Sequence, residues 1–369
     1  MKKNLIVGIV VLIVFFSGCQ TESSPIKIGY AAGITGKYSQ LGVASMYGAE
    51  LAIEEINAEG GIHGRELELI IKDDRSDAEI AREVDQELID EGVVAIVGHT
   101  ISSMIHTVPL MNENHMLMIS PTIATDTLTG KDDYFIRVIP SNFDQAEKLA
   151  EGIFQDNQQH IAVLYEKNNS IFTKVLADFF LEIVESKERS VDHMVAFVSA
   201  DELDYMGIAS DIKEKDVDSL LILASAYDVA AFAQALHILE CDVTIYIPAW
   251  GTTNDLLVYG GKTVENVTGV NFLDLESENP KYLAFSESYR KKYQMEPSFS
   301  AVFTYESIMI LKEALLNVNE ISSENIRTYI LEQGKFGGLQ SDIVFDAYGD
   351  VEREVYLYQV KDGKFTMKK

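Results

Sequence analysis

Hydroxyl side chains gather where apolar runs stop. Ile101-Ser102-Ser103 follows the run Val93–Val97, and Thr122-Ile123-Ala124-Thr125 follows Met116–Ile119. Ser225-Ala226-Tyr227-Asp228 comes after Leu220–Ala224, and Trp250-Gly251-Thr252 after Thr244–Ile247. Hydroxyls beside free main-chain amides at a helix start offer oriented donors and the positive end of a dipole, which is what a carboxylate needs. Ser102 or Thr125 alone reads more simply as a helix cap. Two hydroxyl-rich ends in the same half of the chain point instead to an anion site. Trp250, the only tryptophan, suits either a pocket wall or a core. Asp228 can cap its helix or face a cationic ligand group, while Asp73-Asp74 read as strand-end caps rather than metal ligands.

Catalytic patterns are missing. The seven histidines form no His-Glu-x-x-His, and His99, His106 and His115 are scattered, which argues against a metal. Gly33-Ile34-Thr35-Gly36 places two residues between its glycines where a phosphate loop needs four. There is no Gly-x-Ser-x-Gly elbow, and neither cysteine has the setting of a catalytic thiol. The expectation is a binding protein with no catalytic residue, metal or cofactor.

Elements that would hold these residues follow from hydrophobic periodicity. Strands are predicted at Ile26–Ala32, Glu66–Lys72, Val93–Val97 and Met116–Ile119, then at Ile161–Tyr165, Val195–Ser199, Leu220–Ala224 and Thr244–Ile247. Between them lie helices: one with a stripe at Ala44, Gly48, Leu51, Ala52 and Ile56 stopped by Gly60-Gly61, and one capped by Asp77. Others are predicted near 142–155, 171–185, 204–215 and 228–239. Strand, helix, strand in this order means right-handed βαβ units and mainly parallel sheets, an α/β fold with two doubly wound lobes. Ligands of such sheets sit outside the carboxyl ends of the strands. The helices Pro280–Tyr293 and Ala301–Asn319 come too late for a tandem arrangement, so residues after one lobe complete the other.

Composition narrows the setting. The 369 residues carry 30 Lys+Arg against 58 Asp+Glu, a net charge of −28, which makes nucleic acid a poor partner. Hydrophobic residues at 47% support a sizeable core. Lys2 and Lys3 precede the apolar run Leu5–Phe16, whose 12 residues span about 18 Å as a helix against a hydrocarbon core of about 30 Å. That is a secretory signal rather than a membrane anchor. Phe16-Ser17-Gly18-Cys19 resembles the bacterial lipobox, in which the cysteine is acylated and becomes the mature N-terminus. Residues 1–18 would be the signal and 19–25 a polar tether at the extracytoplasmic face of the cell membrane. Loss of residues 1–18 removes two lysines and no acids, leaving 28 − 58 = −30. Cys241 is then a lone thiol, buried or partly buried, without a disulfide.

A longer resemblance covers the mature chain. Gly33-Ile34-Thr35-Gly36 through Gly48-Ala49-Glu50-Leu51-Ala52-Ile53-Glu54-Glu55-Ile56-Asn57-Ala58-Glu59-Gly60-Gly61-Ile62-His63-Gly64-Arg65 resembles the leader block of type I periplasmic-binding proteins. These are the solute receptors of branched-chain amino-acid ABC transporters. Val97-Gly98-His99 with Ser102-Ser103, Ile119-Ser120-Pro121-Thr122 and Trp250-Gly251 before Gly260-Gly261 extend the match. It implies a Venus flytrap of two Rossmann-like lobes joined by three crossovers, with residues 26–141 plus 272–344 in one and 142–271 plus 345–369 in the other. It also implies that Ser102 binds a ligand carboxylate together with Thr122 and Ala124 or Thr125; Ile101, Ser103, Ile123 and Tyr227, beside them at the strand ends, are candidates by position. Leu41 and Phe172 would be side-chain walls, and Ser225 a pocket position. Ala124 departs from the hydroxyl often found there, so Thr125 or main-chain amides would substitute.

Trp250 falls where leucine/isoleucine/valine receptors have the glutamate that pairs with the ligand ammonium. Burying an ammonium without a carboxylate costs several kcal/mol. Either Asp228 supplies the charge, or the ligand is no ordinary α-amino acid. The expected function is a lipid-anchored, monomeric receptor that delivers a small amino-acid-like or carboxylate solute to an ABC permease. The alternative is a receptor with the same cleft that signals to a membrane partner such as a histidine kinase. A hydrolase is disfavoured because no nucleophile–base pair is visible.

Overall fold

The computed structural model describes residues 24–36, 39–200 and 202–368, and of Ser103 the backbone alone. The expected signal, Cys19 and most of the tether lie outside the described residues. Among those described, no helix is long and apolar enough to cross a membrane. Cys241 is a partly buried free thiol whose pKa burial raises.

Strand β1 (Ile26–Ala32) is buried along almost its whole length, as a parallel strand covered on both faces must be. It pairs in parallel with β2 (Leu67–Asp73) and β3 (Ile96–Gly98), and β4 (Met118–Ser120) and β5 (Phe135–Arg137) extend the sheet in the order β2-β1-β3-β4-β5. The chain then builds a second parallel set from β6 (Ile161–Glu166), β7 (Val191–Phe197), β8 (Ser219–Leu223), β9 (Thr244–Ile247) and β10 (Thr268–Asn271). These lie in the order β7-β6-β8-β9-β10, the same winding as the first sheet. Each half is therefore doubly wound with its switch point beside its first strand, where carboxyl ends open into a crevice.

The late helices pack against a helix of the first sheet. Helix Phe299–Asn317 lies against helix Ser39–Ala58, with Ser45 and Thr304 sharing a buried hydrogen bond and the Tyr289 hydroxyl donating to the Ala44 carbonyl at 3.2 Å. After a small antiparallel pair, β11 (Lys335–Gly337) with β12 (Asp342–Val344), the chain crosses again. It adds β13 (Tyr356–Lys361) and β14 (Lys364–Met367), both antiparallel, to the β10 edge of the second sheet. Three crossings thus join the lobes, and ion pairs pin them. The Arg137 guanidinium, at the first crossing, meets Asp350 of the third at 2.8 Å and donates to the carbonyl of Thr125 at 2.9 Å. Arg353, also of the third, pairs with buried Glu306 at 2.7 Å and lies over the Phe303 ring.

Several elements differ from the sequence reading. Strand β7 starts four residues before the predicted Val195, because this edge strand alternates buried and exposed positions instead of running apolar throughout. Strands β3 and β4 keep only three paired residues each. Strand β5, β10 to β14 and the helices Asn254–Gly260 and Ser323–Gln333 carry no pattern strong enough to have been read.

Gly48 shows how close the first lobe's helices come. A Cβ there would sit 2.2 Å from the Ala301 carbonyl oxygen, so the contact requires glycine. Gly48→Val is expected to lower the free energy of unfolding by at least about 1–3 kcal/mol, the usual range for overpacking. Chemical denaturation checks this, and an unchanged midpoint would show that the two helices do not meet here.

Candidate ligand-binding site

The site is built on the ends of β3 and β4. Gly98 closes β3 so near β1 that a Cβ would lie 2.1 Å from the Ala31 carbonyl oxygen. The next residue, His99, is fully buried. Its Nδ1 is 2.5 Å from Asp74, in the turn after β2, and its Nε2 is 3.1 Å from Asp85, on helix Ala78–Asp90. Burial alone would favour the neutral ring, but the two carboxylates outweigh it and push the pKa up to about 10. At neutral pH the group is an imidazolium between two carboxylates. The His99 carbonyl in turn accepts from the hydroxyls of Ser120 at 3.2 Å and Thr122 at 3.3 Å, which ties the end of β4 to that of β3.

Thr100, Ile101 and Ser102 leave this anchor and enter a short helical turn, Ser102–Thr107. With Thr122 and Ala124 they form one wall of a cavity of about 20 Å³ between the lobes. Leu41, Ile139, Phe272 and Phe299 close it from the first lobe and the crossings, and Gln145, Asn169, Phe172, Ala249 and Trp250 from the second. The rings of Phe172 and Trp250 meet edge to face, with centroids 6.0 Å apart. Gln145 is held by the Ala249 amide, which donates to it at 3.2 Å. Thr100 is 4% exposed, and its hydroxyl has no hydrogen-bond partner among the described residues. No ionisable side chain lines this cavity among the described residues.

Of the residues singled out by sequence, Ile101, Ser102, Thr122, Leu41, Phe172 and Trp250 come together here. Ser225 does not reach this cavity but lines an adjoining chamber that shares Leu41 and Trp250 with it. Four others lie elsewhere. Thr125 is fully buried, caps the turn Asp126–Leu128 and donates to the Ile171 carbonyl of the other lobe at 3.0 Å. Ile123 is core, its amide donating to the Ser120 hydroxyl. Tyr227 is 44% exposed and rests edge-on against Tyr259. Asp228 is fully buried and accepts hydroxyls from Ser199 at 2.8 Å, Tyr205 at 2.6 Å and Ser225 at 2.9 Å. That carboxylate is engaged by hydroxyls of its own lobe, and it is not among the residues that line the cavity. The backbone of Ser103 lies in the turn after Ser102.

Sequence reasoning missed Thr100, Ile139, Gln145, Asn169, Phe272 and Phe299. Asn169 could have been found, since it immediately precedes helix Ser170–Ser186 at the end of β6, the kind of position already used for Ser102. Thr100, two residues past β3, was open to the same reading, whereas Ile139 and Phe272 come from crossings and Gln145 and Phe299 from the first turns of helices, and these carry no local mark.

A family model described as periplasmic binding protein matches residues 25–364. Leu/Ile/Val-binding protein homolog 2 of Brucella abortus is 24% identical over 99% of both chains. A leucine-, isoleucine-, valine-, threonine- and alanine-binding protein of Pseudomonas aeruginosa is 22% identical over 91% of this chain and 90% of its own. Among solved structures, the branched-chain amino acid transporter substrate binding protein LivJ from Streptococcus pneumoniae, in complex with isoleucine, aligns with a TM-score of 0.85 at 25% identity, covering 93% of this chain and 98% of that one. The leucine binding protein LivK from Thermotoga maritima aligns with a TM-score of 0.85 at 24% identity and the same coverage of each chain.

The His99 cluster fixes a pH dependence. A histidine whose pKa is about 10 when folded and about 6.5 when unfolded adds stability in full below 6.5, and that stability is lost as pH rises through 10. Denaturation midpoints are expected to fall across that window. His99→Gln should remove that part of the slope and, by leaving two buried carboxylates without their cation, cost about 3–5 kcal/mol at neutral pH. Equal slopes in both proteins would show that the ring is not charged.

Proposed function

The chain belongs to the periplasmic binding protein family, and we propose that this member holds a small carboxylate with an apolar body between its lobes and passes it to a membrane permease. Relatives in the family bind solutes for ABC transport and are not enzymes. The observation that carries the finer reading is the make-up of the cavity wall: Thr100, Ser102 and Thr122 on one side, aromatic rings on the other, and, among the described residues, no acid. Such a wall suits an anion with an apolar part. An α-ammonium at the same place would lose its hydration and gain no carboxylate, at a cost of several kcal/mol.

A volume of about 20 Å³ holds about one water molecule, so a solute enters only when the lobes part. In this reading the lobes comprise residues 26–141 plus 272–344 and residues 142–271 plus 345–369. They hinge on the three crossings and close as a monomer around the solute. Residues 1–18 are the signal, Cys19 carries the lipid, and the tether through Pro25 holds the body at the extracytoplasmic face of the membrane.

The test is calorimetry and thermal shift on the full-length protein in detergent against amino acids, aliphatic and aromatic acids, and the corresponding amides. A bound solute raises the midpoint by mass action. Acids are expected to bind and amides to fail. Ser102→Ala should weaken the best acid by about tenfold or more, or about 1.4 kcal/mol, with the circular dichroism spectrum unchanged. Unaltered affinity in this variant would overturn the site.

A further inference from the structure

We infer that Gln145 reads the solute from the second lobe, donating to an uncharged oxygen on the carbon next to its carboxylate, so that the preferred class is 2-oxo or 2-hydroxy acids. The inference rests on the carboxylate reading of the cleft.

Gln145 lies in the first turn of helix Asn142–Gln155 and is 1% exposed. Its Oε1 accepts from the Ala249 amide at 3.2 Å. A main-chain N–H can only donate, so this bond sets which end of the carboxamide is oxygen and leaves Nε2 directed away from Ala249. Nε2 donates to nothing among the described residues. Unlike the Thr100 hydroxyl, it is not sealed by its neighbours, so part of the little of Gln145 that stays open is this atom. The space that Gln145 lines is the cavity between the lobes. A carboxamide so buried, held by its oxygen and left with two N–H groups unmet, is set to meet an acceptor.

The size of that space places the acceptor. Ser102 and Thr122 border it from the first lobe and Gln145 from the second, and its volume is about 20 Å³, room for about one water. Donors that flank so small a gap address neighbouring atoms of a solute and not its two ends. With the carboxylate at Ser102 and Thr122, the atom offered to Gln145 is borne by the adjacent carbon. The rings of Phe172, Trp250, Phe272 and Phe299 are left to cover the apolar body.

The chemistry of a carboxamide N–H then selects the group. A C–H leaves Nε2 desolvated and unpaired, at the full cost of a buried polar group. An ammonium presents hydrogens to hydrogens, and no acid lines the cavity among the described residues to accept them. A second carboxylate brings a charge that no lining cation offsets among the described residues. A neutral oxo or hydroxyl oxygen accepts the bond and carries none of these penalties.

Calorimetry on the full-length protein in detergent tests this with acids that share a carbon skeleton, branched aliphatic or phenyl-bearing, and carry hydrogen, hydroxyl, oxo or amino at the second carbon. For at least one skeleton the 2-oxo or 2-hydroxy acid is expected to bind about tenfold or more tighter than both the unsubstituted and the 2-amino acid. Gln145→Glu keeps an oxygen for the Ala249 amide and exchanges the donor for an acceptor. It should abolish that preference and move the 2-amino acid ahead of the 2-oxo acid. The inference is refuted if the added oxygen gains nothing in the wild-type protein, a comparison that stands even if the variant fails to fold. It is equally refuted if folded Gln145→Glu keeps the preference, or weakens all four acids alike as loss of a merely structural side chain would. If unsubstituted acids bind and depend on Ser102 while the oxygen adds nothing, this inference falls alone. If no acid of any kind binds, the carboxylate reading falls and takes this one with it.

Discussion

A positive ring sealed between two carboxylates holds the first lobe's strand ends in place. Asp74 belongs to the turn after β2, Asp85 to helix Ala78–Asp90 and His99 to the turn after β3, so three separate elements meet at one buried charge. Through the His99 carbonyl the end of β4 joins them. The desolvation cost is repaid only while all three charges stay together, since any one of them left alone in the interior is far more costly than the set. Compensation is not complete even so, because one oxygen of Asp85 finds no hydrogen-bond donor among the described residues. The hydroxyl wall of the cleft, Thr100 to Ser102 and Thr122, is the surface layer of this cluster. Its positions are set from beneath rather than by local turn propensity.

The same winding appears twice, and the cleft lies between the two sets of strand ends. What makes this one site rather than two is the chain path. Arg137 and Asp350 fasten the first crossing to the third, and Arg353 and Glu306 fasten the third to helix Phe299–Asn317. Among the described residues, the lobes meet across the gap through Thr125 and Ile171, through Gln40 and Tyr259, and through the cavity walls that centre on Phe172 and Trp250. Ion pairs, by contrast, sit at the crossings, where a hinge would have its fixed points.

Legibility in the sequence followed burial. Strands β1 and β9 and the helices 142–155 and 280–293 were read to the residue, since fully buried parallel strands appear as unbroken apolar runs and the helix after Ser141 opens with a capping box. Short strands such as β5, and antiparallel edge strands such as β14, have no such run. In the site, Ser102 and Thr122 were visible because topology places strand ends at the crevice. Thr125 and Asp228 looked the same in sequence, yet the structure uses Thr125 as a cap and Asp228 as the acceptor of the cap residue Ser225's hydroxyl: a polar group beside a helix start finds partners in its own surroundings as readily as in a ligand. Phe272 and Phe299 reach the cavity only because the chain returns late to the first lobe, and nothing near them in sequence records that return.

That interleaved path has a consequence for biogenesis. The first lobe needs helix Phe299–Asn317, and the second sheet has its β10 edge covered only by β13. On a ribosome, or threading through a translocon, neither half is a complete unit while the other is still being made, so N-terminal-first domain folding is unavailable to this chain. A nascent chain arrested before Tyr356 carries β10 with a bare edge, which is a template for pairing with a neighbouring molecule.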